Sequence, residues 1–134
     1  MTPSRLQTEF LRAVKIAARR PFLAAFFLNH LSFALPVERL YETPTLLAFH
    51  HPAATYPLHI LLVPKKPLSG LAELDPVNDA PILVDLFATV QKLVLRFGLE
   101  QDGYRLIVNG GKYQEFPYLH FHLVSEHTPA GKHL

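Results

Sequence analysis

The segment Tyr118-Leu-His-Phe-His-Leu-Val124 alternates polar and apolar residues with a period of two. Side chains on an extended strand point alternately to its two faces. Leu119, Phe121 and Leu123 therefore share one face, and Tyr118, His120 and His122 share the other. The apolar face needs a core. The opposite face presents two imidazoles roughly 7 Å apart by strand rise. The rest of the chain must supply partner strands and a cover for the apolar face, which constrains the fold before any other residue is considered.

Those parts are present. Leu46 to Phe49 reads as a short buried strand between Thr43-Pro44 and His51-Pro52, and Pro36 to Tyr41 leads towards it. His59-Ile-Leu-Leu-Val63 is a second apolar run, stopped by Pro64. A hairpin between the two has the long connection HHPAATYPL, a length at which loops often carry function. Leu68 to Pro81 is rich in turn and cap residues. Ile82 to Phe97 is the clearest helix, with Leu83, Leu86, Phe87, Val90, Val94 and Phe97 as its apolar stripe, Asp85, Thr89, Gln91, Lys92 and Arg96 turned away, and Gly98 as a C-cap. Tyr104 to Val108 is a third strand after the turn Asp102-Gly103, and Tyr118 to Val124 a fourth. The expected class is α+β, an antiparallel sheet with helix packed to one side. At 134 residues, 49% of them apolar, the chain has material for one such core.

Residues 1–35 read as an N-terminal helical extension to a domain spanning 36–134. Leu6, Phe10, Ala13, Val14 and Ala17 recur at helical spacing among Arg5, Arg12, Lys15, Arg19 and Arg20, and Pro21 separates this helix from a second over 22–33. We expect the extension to pack on the domain or on a second subunit. Peripheral contact with an anionic membrane surface is the alternative. The most apolar stretch, Phe22 to Leu35, contains Asn29 and His30 and falls short of a membrane span. No secretory signal is expected, so a cytoplasmic location is.

Without cysteine, disulfide scaffolds, thiolate metal sites and cysteine nucleophiles are excluded. A net charge of +2 identifies no ligand. Eight histidines are more informative. The pair His120 and His122 admits three readings: a solvated strand face, a metal site completed by His59 or Glu115, or phosphorus chemistry in which one imidazole attacks and the other donates to phosphate or the leaving group. Context favours the third. Gly110 and Gly111, just ahead of the strand, let backbone N–H groups approach an anion, Asn109 and Gln114 add neutral donors, and Lys112 adds charge.

The segment resembles the motif of the histidine-triad (HIT) family, in which three histidines alternate with apolar residues. The stretches LYETPTLLAFHHPAATYPLHILLVPKKPLSGLAEL and GYRLIVNGG resemble the family's strand–loop–strand segment and its strand leading to an Asn-Gly loop, so the likeness covers about residues 36–124. It implies a small α+β fold, a homodimer, and a nucleotide-binding hydrolase acting at the α-phosphate of nucleoside phosphoramidates or dinucleoside polyphosphates. The ligand it implies is a purine nucleotide or a nucleoside phosphoramidate, with neither cofactor, metal nor nucleic acid required. By the same likeness His120 is the nucleophile and His122 contacts the phosphate or leaving group, while His59 and Asn109 match further site residues.

Three positions depart from the family pattern. Tyr118 stands in the place of the first triad histidine, and its hydroxyl can still donate and accept. His51 stands where the family has an aspartate for the ribose hydroxyls, a place from which histidine could bond ribose or stack on a base. Glu115 replaces a small hydroxyl residue near the leaving group, where a carboxylate repels phosphate or assists an amine. These departures motivate the alternative of a non-catalytic nucleotide-binding or interaction module with a degenerate triad.

Overall fold

A computed structural model describes residues 39–52, 54–115 and 117–129. The helical extension expected over 1–35, with its packing and membrane alternatives, lies outside the described residues. Strands β1 (Arg39–Glu42), β2 (Leu46–His50), β3 (Leu58–Pro64), β4 (Arg105–Val108) and β5 (Phe121–Ser125) form one sheet in the order β1-β2-β3-β5-β4, with every neighbour antiparallel. The long hairpin connection is present between β2 and β3. At the other end of that hairpin Lys65 N–H donates to the Thr45 carbonyl at 2.8 Å, which closes the ladder where Pro64 ends it.

Helix α1 (Ala80–Phe97) packs on one face of the sheet. Its Ile82, Leu86, Val90, Leu93, Val94 and Phe97 meet Leu46, Ala48, Ile60, Leu62, Phe121 and Leu123 in the core. The residues Leu119, Phe121 and Leu123 thus find the cover that their alternation demanded. Gly98 ends the helix at φ 65°, a left-handed conformation that costs glycine little. The buried stripe is rotated relative to expectation. Thr89 is buried and Phe87 is 61% exposed, because the stripe runs 82, 86, 89–90, 93–94 and 97. A short helix α2 (Leu99–Asp102) stands where only a turn was expected.

A second correction bears on the site. The last strand begins at Phe121, not Tyr118. The chain at Tyr118–His120 is tied instead to the segment after β3. Leu119 N–H donates to the Leu68 carbonyl at 2.8 Å. The Tyr118 hydroxyl lies 2.8 Å from the carbonyls of both Pro64 and Lys66, with the ring 3% exposed. Tyr118 is therefore turned into the protein and does not share the face of His120 and His122. Among the described residues no helix is long and apolar enough to cross a membrane.

Candidate active site

Strand register assembles the histidines. On β3, Ile60 and Leu62 face α1, so His59, Leu61 and Val63 face the other way. On β5, Phe121 and Leu123 face α1, so His122 lies on the same side as His59. Leu61 pairs with His122 and His59 with Val124, which makes His59 and His122 diagonal neighbours across two strands. Continuing the β2–β3 register past Phe49↔Leu61 sets His51 opposite His59, and His51 N–H donates to the His59 carbonyl at 2.8 Å. His120 precedes β5 by one residue and carries the row onward.

The result is a cluster of imidazoles drawn from three adjacent chain segments. Ring centroids are 4.4 Å apart for His51–His59, 5.1 Å for His59–His122 and 4.9 Å for His120–His122. The last distance is shorter than strand rise predicts, because His120 stands outside the regular strand. The rings of His51 and His122 lie 6.4 Å apart and only 20° from parallel, and Tyr56 sets its edge against His59 at 5.5 Å. His59 and His120 are 6% and 5% exposed.

Electrostatics keep these rings neutral. Burial, reinforced by the neighbouring imidazoles, depresses His59 to about 3 and His122 to about 4. Burial also lowers His51 and His120 below the ordinary 6.5. His120 adds to the effect on His51, and the Glu115 carboxylate opposes it on both rings. The Glu115 carboxylate is thus near enough for its charge to act on both rings, while its side chain is exposed. His120 Nδ1 lies 2.7 Å from the Tyr118 carbonyl. A carbonyl can only accept, so Nδ1 carries the proton and Nε2 the lone pair. A neutral imidazole so arranged can attack an electrophilic phosphorus.

The other predicted residues distribute unevenly. Asn109 is half-buried at the end of β4. Gly110 and Gly111 are exposed in a tight turn, Gly111 at φ 57°. The Gln114 side-chain amide donates to the Ser69 carbonyl at 2.7 Å, so part of its donor capacity holds the loop in place. Among the described residues no group of three or more His, Cys, Asp or Glu is arranged to hold a metal ion. One participant was not foreseen: the Thr55 backbone N–H lies 3.3 Å from His59 Nδ1. Its amide carries no side-chain signature, and only the length of the loop pointed towards it.

Comparison with known proteins agrees with this architecture. The HIT domain family matches residues 33–128. A HIT-like protein of Synechococcus elongatus is 36% identical over 98 residues, which is 72% of this chain and 84% of that one. A HIT-like protein of Buchnera aphidicola subsp. Baizongia pistaciae is 33% identical over 92 residues, 67% of this chain and 81% of its own. The solved structure of a HIT family hydrolase from Clostridium thermocellum superposes with a TM-score of 0.65 at 30% identity, covering 81% of this chain and 96% of that one. A histidine triad protein from Clostridium difficile gives 0.65 and 30%, over 81% and 91%.

Proposed function

Because the chain belongs to the HIT domain family, we propose that it is a nucleotide-binding hydrolase that attacks the α-phosphate of purine nucleoside derivatives through His120. The observation that carries this reading is the bond from His120 Nδ1–H to the Tyr118 carbonyl, which leaves the lone pair of a neutral imidazole on Nε2 within the cluster of histidines. Nε2 forms a bond to phosphorus as the bond to the leaving group breaks. The leaving group departs with the electron pair and takes up a proton. The resulting nucleotidyl-imidazole keeps Nδ1–H on the carbonyl. Water then attacks phosphorus, the P–N pair returns to Nε2, and the water proton is released. His122, Asn109 and the Gly110–Gly111 amides meet the charge on the phosphate oxygens. His51 lines the nucleoside side and Glu115 the leaving-group side, and Gln114, bonded to the Ser69 carbonyl, holds the loop that carries Glu115.

Turnover of a fluorogenic adenosine phosphoramidate and of a diadenosine polyphosphate, measured beside AMP binding, tests the reading. Hydrolysis of either supports it. AMP binding without turnover of any substrate would make the protein the non-catalytic module. The pH dependence has a definite sign. His120 must be neutral to attack, and its pKa lies below 6.5 because of burial. Activity is therefore present above that pKa and lost as pH falls through it. We expect the acid limb of kcat/KM to have its half-maximal point below pH 6.5. A half-maximal point at or above 6.5 would contradict the assignment.

The protein is proposed to act as a homodimer. Val84, Phe87 and Leu95, 66%, 61% and 71% exposed, lie on one side of α1 at spacings of three and eleven residues from the first, and β4 is an edge strand. Phe87→Glu is expected to halve the mass seen by sedimentation. A wild-type chain that sediments as a monomer would refute this.

A further inference from the structure

The His120 bond explains the nucleophile but not its neighbour. His59 Nδ1 lies 3.3 Å from the Thr55 backbone nitrogen, and a backbone N–H can only donate. His59 Nδ1 therefore accepts, which puts the ring proton on Nε2. His59 Nε2 lies 2.9 Å from His122 Nδ1, so it donates and His122 Nδ1 accepts. The proton of His122 is then on Nε2. His51 against one side of the His59 ring and the edge of Tyr56 restrict its turning. The Thr55 hydroxyl, 3.4 Å from the same Nδ1, can reinforce the donor but is not needed for this logic.

We propose that the Thr55 amide is a positioning group that fixes, through His59, the tautomer in which His122 offers an N–H to the phosphate while His120 offers a lone pair. This rests on the reading of His120 as nucleophile for its functional meaning, although not for its geometry. Two adjacent imidazoles of one chain segment are thus given opposite polarity by two backbone groups, the Tyr118 carbonyl and the Thr55 amide. Because the latter is a main-chain group, the assignment needs no charged histidine, and His122 acts as a neutral donor. Losing the amide frees His59 Nδ1 to take the proton. Its Nε2 then accepts from His122 Nδ1, and His122 turns a lone pair towards the phosphate oxygens.

The test is ring ¹⁵N NMR of the whole chain, with imidazole-to-backbone couplings across the N–H···N bonds. In the wild type we expect His59 and His122 as Nε2–H tautomers and His120 as Nδ1–H, with a coupling from the Thr55 nitrogen to His59 Nδ1. Finding His122 as Nδ1–H overturns the proposal without recourse to any variant. Thr55→Pro deletes the amide and should convert both His59 and His122 to Nδ1–H, lowering kcat/KM about 100-fold, as loss of one oxyanion donor does. Thr55→Val keeps the amide and should retain the wild-type ¹⁵N pattern. A folded Thr55→Pro protein with unchanged tautomers also overturns the proposal. The predicted tautomers in a protein with no hydrolytic activity would refute the catalytic reading alone and leave the relay standing.

Discussion

His120→Asn should lower turnover of an adenosine phosphoramidate by about 10⁴-fold or more, the scale on which removal of a covalent nucleophile acts. Asparagine fills much of the imidazole volume and keeps an N–H able to meet the Tyr118 carbonyl, which His120 Nδ1 reaches at 2.7 Å. It has no nitrogen lone pair to give to phosphorus. The surrounding rings should persist, because His59 and His122 are held by their own bond at 2.9 Å. AMP affinity should stay within a few-fold of wild type, and rapid-quench trapping of the protein with labelled substrate should lose its covalent adduct. A variant that still turns over at more than a hundredth of the wild-type rate, with its adduct intact, would move the nucleophile to another imidazole. His122 would then be the first to examine, at 4.9 Å from the His120 ring.

Alternation of residues made the sheet legible. Leu46–Phe49 and His59–Val63 stand as read, because each combines apolar density with bounding Pro or polar turns; of the strand expected over Tyr118–Val124 only the part from Phe121 is strand; and the buried helix needed only its 3.6-residue period. The phase of that helix was less visible. Leu83 and Phe87 fit an apolar stripe as well as Thr89 does not, yet the sheet selects the side by shape, and threonine is small enough to be covered. The pairing of His120 with His122 could be read from spacing. The meeting of His59 with His122 could not, because they are 63 residues apart and join only through the β3–β5 register. His51 lay within reach of sequence reasoning: a β2–β3 hairpin extended by one pair sets it opposite His59. The Thr55 amide was out of reach, since every residue but proline has one.

Tyr118 is the position where period-two reasoning failed, and the reason predicts a large effect on stability. Its ring is 3% exposed and its hydroxyl meets the carbonyls of Pro64 and Lys66, both at 2.8 Å. One O–H proton serves two acceptors, the buried Pro64 carbonyl and the part-buried Lys66 carbonyl. Burial raises the phenol well above its ordinary pKa of 10, so the donor stays protonated under all ordinary conditions. Tyr118→Phe preserves the ring and removes the donor. It should cost about 1–3 kcal/mol, the penalty for leaving buried polar groups unmet. Tyr118→Ala also empties the ring site and should cost about 3–5 kcal/mol, the range for aromatic truncation in a core. The gap between the two variants isolates packing from the hydroxyl. It also bears on catalysis, because the main chain that the hydroxyl anchors includes the carbonyl bound to His120 Nδ1. Urea unfolding of both variants reads these values directly. A Tyr118→Phe curve superposed on wild type would mean that the Pro64 and Lys66 carbonyls take other donors and that the ring alone holds the segment.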